Sequence, residues 1–529
     1  MKSKSKAMSG VKLLLIVFFA VAVLFPLIRM FFSMAGTDIG AILTSDNFNT
    51  ALLNSLSVTL TSTVISVGLA TALAWCIART GVRLKGVWSF LFVLPMLIPS
   101  ISHGMGLIVL FGANGVLTNL LGLGGSIYGF WGVVVGSVMY SFPVAFLMVA
   151  DIFRYEDSTP YEAANVLGIS KVRQFTAITL PYLRRPMISV IFAVFTLIIT
   201  DYGVPLMVGG QFTTLPVMMY QDVIGLLDFG KGSVIGLVLL VPAFIAFVLD
   251  LINQDKGNSG FVVRPFTIAK NRLRDGVAYL LCAVVSVCVV LPIVSFALLT
   301  FVKKYPIDMS VTMNNIARAM DMNAGQFLIN SILIAIGVSV VGVVVAYATS
   351  YLTARTHSPQ SRVLHLMSVI TLAIPGLVLG LSYVLFFKGT MIYGTLAILI
   401  LVNLMHFFAS PYLMMYNTFG KLNGNLEAVG QTLGISRMRI ILNVLVPQSK
   451  STIAEMFSYF FVNSMMTISA VSFLSVQATQ PVSLMITMFE AQMMLECAAF
   501  VSILILTINV LLKGGIALYK RKISKEVVA

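Results

Sequence analysis

Glu162, Gly168 and Pro181 stand at fixed spacing in a polar stretch, 159–186, that interrupts the long apolar runs of this chain. Thr159 can cap a helix, and Glu162 occupies the position where a capping box places an acid. Gly168 then ends the helix, because glycine takes the left-handed conformation without steric cost. The stretch therefore predicts a short helix, a sharp bend and a second helix, held outside the membrane.

The same arrangement occurs a second time in residues 426–447. Gly434 repeats Gly168, and Pro447 repeats Pro181, both at an offset of 266 residues. A second helix–bend–helix unit is therefore predicted in the second half of the chain.

The acid of the second copy departs from the pattern. Ala428 occupies the position equivalent to Glu162, and the glutamate lies one residue earlier, at Glu427. The sequence leaves open whether Glu427 does the work of Glu162.

Both stretches resemble the cytoplasmic EAA loop of bacterial binding-protein-dependent ABC importer permeases. The resemblance implies that each loop is a coupling helix that docks in a cleft of an ATPase subunit. It assigns ATPase coupling to nine residues: Glu162, Ala163, Ala164, Gly168, Pro181, Glu427, Ala428, Gly434 and Pro447. It also implies two copies of an ABC ATPase, which carry ATP and magnesium, and an external solute-binding protein.

A second group of candidate residues lies inside an apolar run, where polar side chains are costly and mark transport paths. Asp201 and Tyr202 follow the first loop, and offset 266 places Thr467 opposite Asp201. Asn463 lies four residues before Thr467, on the same helical face. We expect these four residues to line a translocation path that is asymmetric, because only one half carries the acid. A helix-end anchor is the alternative for Asp201.

Other chemistry is not expected in this chain. Residues 225–232 resemble a phosphate loop but lack the Ser or Thr that holds magnesium. The four cysteines have no metal-ligand spacing, and the four histidines form no catalytic set. We therefore predict a non-enzyme that binds no metal and no cofactor of its own.

The composition predicts an all-α polytopic membrane protein, because 58% of the residues are hydrophobic and only 10% are charged. The net charge of +15 does not indicate nucleic acid, since the basic residues cluster at the ends of apolar runs. At about 20 apolar residues per crossing, twelve spans are expected at 11–32, 52–78, 87–111, 129–152, 187–207, 233–252, 277–301, 328–354, 363–387, 392–416, 453–475 and 499–519.

Lys and Arg are concentrated on one side of these spans, which the positive-inside rule makes cytoplasmic. That side holds both EAA-like loops and both termini of a protein of the bacterial inner membrane. The lysines at 2, 4, 6 and 12, with the apolar run that follows, also fit a signal peptide. We prefer a retained first span, because a matching run opens the second half.

The two halves repeat in their spans as well as in their loops. Arg79 recurs as Arg355 and Pro99 as Pro375, both at offset 276. The offset between the halves drops from 276 at Pro99 to 266 at the EAA-like loops. This drop predicts about ten additional residues in the first half, in the external loop around 112–128. The halves share one orientation, which predicts a parallel repeat. The resemblance implies the type I ABC importer permease fold. The predicted units are 1–255, a cytoplasmic linker 256–275, and 276–529.

The fused layout of six plus six spans resembles permeases for ferric iron, thiamine and 2-aminoethylphosphonate. Residues 200–205, 373–387 and 461–474 are most similar to the 2-aminoethylphosphonate type, which implies that substrate. Ferric iron and thiamine are the alternatives. A carboxylate at Asp201 can meet a substrate ammonium, whereas a lone carboxylate is a poor iron site.

A secondary transporter of the major-facilitator kind is the alternative from another class. Such a protein couples transport through ionisable groups inside its spans. The scarcity of acids in the apolar runs and the doubled EAA-like loop argue against it.

Overall fold

The computed structural model describes residues 2–122, 127–253, 264, 266–268, 270–356 and 358–528. Half of the predicted linker, residues 256–263 with 265 and 269, lies outside the described residues. The helices of the first half are α1 Lys2–Phe19, α2 Phe25–Ser33, α3 Ile39–Thr44, α4 Asp46–Arg79, α5 Lys85–Val93, α6 Ser100–Phe111, α7 Val116–Leu121, α8 Phe130–Arg154, α9 Thr159–Val166, α10 Lys171–Gln174, α11 Leu180–Ile199, α12 Gly203–Val208, α13 Leu215–Gly225 and α14 Phe229–Asn253.

The second half adds one small antiparallel hairpin to its helices. Its elements are α15 Arg272–Leu299, β1 Val302–Lys304, β2 Asp308–Val311, α16 Asn314–Asp321, α17 Ala324–Ala354, α18 Pro359–Ile370, α19 Gly376–Phe387, α20 Leu396–His406, α21 Ala409–Lys421, α22 Leu426–Thr432, α23 Arg437–Ile440, α24 Val446–Gln448, α25 Lys450–Met466, α26 Leu484–Ala491 and α27 Leu495–Val528.

The all-α polytopic class is confirmed. Nine helices within the described ranges are long and apolar enough to cross a membrane, or eleven if each of two bent pairs counts as one span. Helices dominate because lipid offers no partner for backbone N–H and C=O groups, so each span must satisfy them internally.

The two halves have the same order of elements, as a parallel repeat requires. Helix α4 corresponds to α17, α9 to α22, and α14 to α27. The expected insertion lies between α6 and α8. Residues 112–129 there correspond to only 388–395 in the second repeat, a difference of ten residues. Residues 123–126 of that insertion lie outside the described part of the chain.

The first span of each repeat packs against the other repeat. The α1–α2 segment packs on α18 and α19, and the Tyr383 hydroxyl donates to the Ala22 carbonyl at 2.6 Å. Conversely, α15 packs on α5 and α6, where Gly106 lies directly against the backbone of Pro292. This exchange of first spans joins the two halves.

The third span of each repeat is broken, which corrects the expectation of continuous helices at 87–111 and 363–387. A short 3-10 turn ends at Leu97 ahead of Pro99, and another ends at Ala373 ahead of Pro375. In the second repeat the two segments differ in direction by 111°. Proline causes such breaks because it lacks the N–H of an interior helical residue.

The fifth span also ends earlier than predicted in both repeats. Helix α11 stops at Ile199, not at 207, and α25 stops at Met466, not at 475. Hydropathy did not reveal these ends, because apolar residues resume directly after each turn, with Val204 and Ile468 buried. Asp201 therefore lies in a turn between two helices and not within a span.

Candidate functional site

The first EAA-like loop, called the first coupling loop after its predicted role, is formed by α9, a bend at Gly168 and the helical run that leads into α11. Gly168 has a φ of +68°, which an L side chain rarely adopts. Ser158, rather than Thr159, precedes the helix as its N-cap residue, and its hydroxyl donates to Glu162 Oε1 at 2.8 Å. Thr159 is the first helical residue. Glu162 and Ala163 are exposed, whereas Ala164 is buried beneath the bend.

The second coupling loop has the same backbone as the first. Gly434 has a φ of +70°, and the Ile435 N–H donates to the Gly430 carbonyl at 2.8 Å. Its counterpart joins Ile169 to Ala164 at 2.9 Å. Gly430 packs closely on Ile440, and a β-carbon there would require the end of the Ile440 side chain to shift.

Both loops lead into the next span through a single π turn, Phe175–Thr179 in the first and Ile441–Leu445 in the second. Pro181 and Pro447 stand directly after these turns, at the second residue of α11 and of α24. Proline cannot donate the regular helical hydrogen bond, and the wider turn removes the need for it. The proline of the motif therefore follows a π turn in both loops.

Glu427 has a different role from Glu162. Its carboxylate forms a two-point ion pair with Arg355, from Nε to Oε1 at 2.9 Å and from Nη2 to Oε2 at 2.6 Å. The side chains of Arg355 and Glu427 are only 7% and 12% exposed. Ala428, at the position equivalent to Glu162, is exposed. Glu427 thus ties the loop to the end of α17 through a largely buried side chain, whereas Glu162 is exposed.

The first repeat forms an equivalent ion pair with different residues, and we call each of these two arginine–glutamate ion pairs a tie. Arg79, at the end of α4, pairs with Glu156, which also accepts a hydrogen bond from the Tyr161 hydroxyl. Tyr161 lies 2.7 Å from the Thr179 hydroxyl, so the tie spans both arms of the loop. Burial and the neighbouring Glu156 raise the pKa of Tyr161 to about 12, and the phenol stays protonated. Offset 266 maps Tyr161 onto Glu427, so the second repeat places its acid where the first has the phenol.

Apolar side chains at repeated positions are exposed on both loops. Leu167 and its counterpart Leu433 are 75% and 68% exposed, and Val172 and Met438 are 76% and 62% exposed. Large exposed apolar groups that recur in this way indicate a contact surface.

The carboxylate of Asp201 caps the short helix α12. Its Oδ2 accepts from the Val204 N–H at 3.0 Å, its Oδ1 accepts from the Gly203 N–H at 3.4 Å, and it also bonds the side chain of Ser100. Ser100 is the first residue of α6, so Asp201 stands at the N-termini of two helices, where a negative charge is stabilised. The residue is half-buried.

The other three candidate path residues do not bond to Asp201. Tyr202 is buried and its hydroxyl lies 2.8 Å from Ser472 Oγ, which makes it a contact between the two repeats. The Asn463 amide donates to the carbonyl of Tyr459 in its own helix at 2.8 Å. Thr467 is buried at the end of α25, where its carbonyl accepts from Ser483.

A serine and a glycine exchange places between the repeats at the broken helices. In the first repeat Ser100 packs so tightly on Gly203 that a β-carbon there collides with its hydroxyl. In the second repeat Gly376 stands at the position of Ser100, and Ser469 at that of Gly203, with the same close contact. The two breaks are thus packed alike, but the carboxylate of Asp201 is present at one of them only.

Several residues of these sites were not identified from the sequence. Arg79 and Arg355 were noted as repeated, and that repetition was the available signal for the ties to the coupling loops. Ser100 and Ser158 carried no signal of their own. Ser100 bonds Asp201, which lies far along the chain in a turn that hydropathy does not show. Ser158 bonds Glu162, for which the sequence pattern offered the neighbouring Thr159 as the cap.

Comparisons with known proteins agree with this repeat. The family of binding-protein-dependent transport system inner membrane components matches residues 64–255 and 340–525. The putative ferric transport system permease protein FbpB 1 of Haemophilus influenzae is 23% identical over 89% of this chain and 79% of its own length. The ferric transport system permease protein FbpB of Actinobacillus pleuropneumoniae is 23% identical over 89% and 73%. The molybdenum transport system permease protein ModB of Azotobacter vinelandii is 33% identical over 28% of this chain and 68% of its own.

Among solved structures, the chain is similar to one chain of a bacterial alginate ABC transporter in complex with an alginate pentasaccharide-bound periplasmic protein. The sequence identity is 19% and the TM-score is 0.39, over 47% of this chain and 93% of that chain.

Proposed function

Because the chain belongs to the family of binding-protein-dependent transport system inner membrane components, we propose that it forms the whole translocation path of an ATP-driven importer for a small solute. The observation that carries the proposal is the duplicated coupling loop, with Gly168 at φ +68° and Gly434 at φ +70°. Two loops of one backbone shape, each with exposed apolar side chains, provide two equivalent docking surfaces.

Each coupling loop docks one ABC ATPase subunit, which gives two copies in the complex. Leu167 and Leu433 are the central exposed apolar contacts. ATP and magnesium bind to those subunits. Closure of the two ATPases moves the loops, and the ties through Arg79 and Arg355 pass the motion to α4 and α17.

Transport then follows an alternating-access cycle. The external solute-binding protein delivers its ligand to the side opposite the coupling loops. The lysine and arginine distribution supports a cytoplasmic position for those loops and for both termini. Asp201, at the break next to α6, is the charged group of the path, and the buried Tyr202, with Asn463 and Thr467, forms its walls.

For the substrate we propose 2-aminoethylphosphonate. Support comes from the resemblance of residues 200–205, 373–387 and 461–474 and from a carboxylate that can meet an ammonium group. Ferric iron is the second candidate, since two relatives similar over 89% of the chain are ferric permeases. Within the described ranges, no group of three or more His, Cys, Asp or Glu is placed to hold a metal ion. An iron substrate would therefore cross without a multidentate protein site in this conformation.

A binding titration of the cognate solute-binding protein tests the substrate. The ligands are 2-aminoethylphosphonate, ferric iron, thiamine and molybdate. Selective binding of 2-aminoethylphosphonate is the expected result. Selective binding of ferric iron would replace it with the second candidate.

A further inference from the structure

Two described residues of the inter-repeat linker, Arg264 and Phe266, lie against the first coupling loop. The Ser158 N–H donates to the Arg264 carbonyl at 3.1 Å, and the Arg264 N–H donates to Asp157 Oδ1 at 3.2 Å. The Phe266 ring packs on the guanidinium of Arg79, 3.2 Å from its carbon to the ring centroid, and edge-on against Tyr161 at 5.1 Å. Phe266 therefore touches two members of the tie that joins Arg79, Glu156 and Tyr161.

The second coupling loop is contacted in a corresponding way by the start of the chain. Nη1 of Arg437, in α23, lies 2.7 Å from the sulfur of Met8. One turn further along α1, Lys12 Nζ donates to Ser358 Oγ at 2.9 Å, next to Arg355. Lys12 is buried at this contact. The segment in front of each exchanged first span thus reaches the coupling loop of the repeat on which that span packs.

We propose that these two leading segments are clamps that position the coupling loops, so that each loop is held by both repeats. Phe266 is the positioning residue of the first loop, and Met8 that of the second. The functional consequence of the clamps rests on the proposed ATPase coupling. If an ATPase moves one loop, the clamp on that loop also moves a first span of the other half. The clamps differ in chemistry, because an aromatic ring covers a guanidinium at the first loop and a thioether contacts one at the second.

A physical reason favours a clamp at these positions. The arginine that ties each loop to its own repeat is largely buried, and a cation covered by an aromatic face in a desolvated place is held more tightly than in water. Removing the ring exposes the Arg79 tie to water and leaves Tyr161 without its packing partner. Among the described linker residues, the backbone bonds of Arg264 to Ser158 and Asp157 then remain.

Hydrogen exchange of the purified full-length chain tests the two clamps separately. In Phe266→Ala the amides of α9 should exchange about fivefold faster, the change expected for loss of a partly buried cation–π contact, while those of α22 keep their wild-type rates. In Met8→Ala the effect should fall on α22 and α23 and spare α9. Ile268→Ala, an exposed linker position, should change neither loop, and Phe266→Tyr should behave as wild type. Equal acceleration in both loops, or none in either, would overturn the proposal.

A functional readout separates the clamp from simple support of the loop. In the complex with ATPase and solute-binding protein, Phe266→Ala should lower the ratio of receptor-stimulated to basal ATP hydrolysis about fivefold, with recovery in Phe266→Tyr. An unchanged ratio would refute the clamp while leaving the importer function intact. If the wild-type chain bound no ATPase, the proposed function would fail, and the exchange experiment would still decide whether the clamps exist.

Discussion

The guanidinium of Arg355 holds the carboxylate of Glu427 at two points, at 2.9 and 2.6 Å, at the junction of α17 and the second coupling loop. Arg355 also donates to the carbonyls of Leu422 and Asn423, at 3.1 and 2.6 Å. One side chain thus organises both the helix and the turn in front of it. Such bidentate pairing is specific to arginine, because its planar fork matches a carboxylate.

Removal of the Glu427 charge is predicted to destabilise the chain more than removal of the Glu162 charge. Glu427→Gln leaves Arg355 largely buried without its counter-charge, a loss of about 3–5 kcal/mol. Glu162→Gln affects one exposed capping contact, worth about 1 kcal/mol. Apparent melting temperatures of the purified variants should fall in that order.

Moving the acid into the motif register gives a sharper control. The double variant Glu427→Ala with Ala428→Glu restores the sequence pattern of the first loop. Because residue 428 is exposed, the acid placed there should not reach Arg355, and stability should stay low. Wild-type stability of the double variant would show that the register of the acid does not matter.

The bends at Gly168 and Gly434 should not accept a side chain. Alanine at either position must adopt a positive φ, at a cost of about 1–2 kcal/mol, or straighten the loop. We expect solute uptake to drop at least tenfold for Gly168→Ala or Gly434→Ala, with normal amounts of protein in the membrane. Gly424→Ala is the matched control, since that glycine lies in the same loop with open space around it and no positive φ. Equal uptake by all three variants would argue against the bend as a coupling element.

The orientation can be tested with an impermeant thiol reagent in intact cells, starting from a chain without its native cysteines. Asn165→Cys and Gln431→Cys should be protected, because they lie on the coupling loops. Gly40→Cys and Ser310→Cys should react, because they lie on the side poor in basic residues. Labelling at 165 or 431 would reverse the orientation.

Asp201→Asn should impair transport of a zwitterionic or cationic solute without unfolding the chain. The amide keeps the size of the side chain and an oxygen for the α12 N–H groups, but it removes the charge. At equal expression we expect uptake to drop about tenfold, which corresponds to about 1.4 kcal/mol. Thr467→Val, at the repeat-related position, should have a smaller effect, because only a hydroxyl is lost. Wild-type uptake by Asp201→Asn would leave the residue with its capping role alone.

The repeat and the coupling loops could be predicted from the sequence, because glycine and proline at fixed spacing have strict backbone consequences. The ten-residue insertion was placed correctly from the change of offset between Pro99 and Gly168. Hydropathy could not reveal the breaks near Pro99 and after Ile199, since the broken segments are as apolar as the spans.

The partners of charged residues were the part that could not be predicted. Arg355 pairs with Glu427 across 72 residues of sequence. Phe266 contacts Arg79 although it follows the last helix of the first repeat. Contacts of this kind depend on how helices pack in space. Glu427 was therefore assigned to the motif next to it in sequence, and its true partner emerged only from the fold.

Uptake by proteoliposomes with ATP as the only energy source tests the central claim most directly. The vesicles contain this chain and its ATPase, with the solute-binding protein on the outside, and the solute is the ligand that the binding protein selects. We predict uptake that requires hydrolysable ATP, is unaffected by a protonophore, and is lost when Leu167→Asp and Leu433→Asp disrupt the docking surfaces. Uptake by the chain alone, driven by an ion gradient and unchanged in the double variant, would contradict the account and identify a secondary transporter.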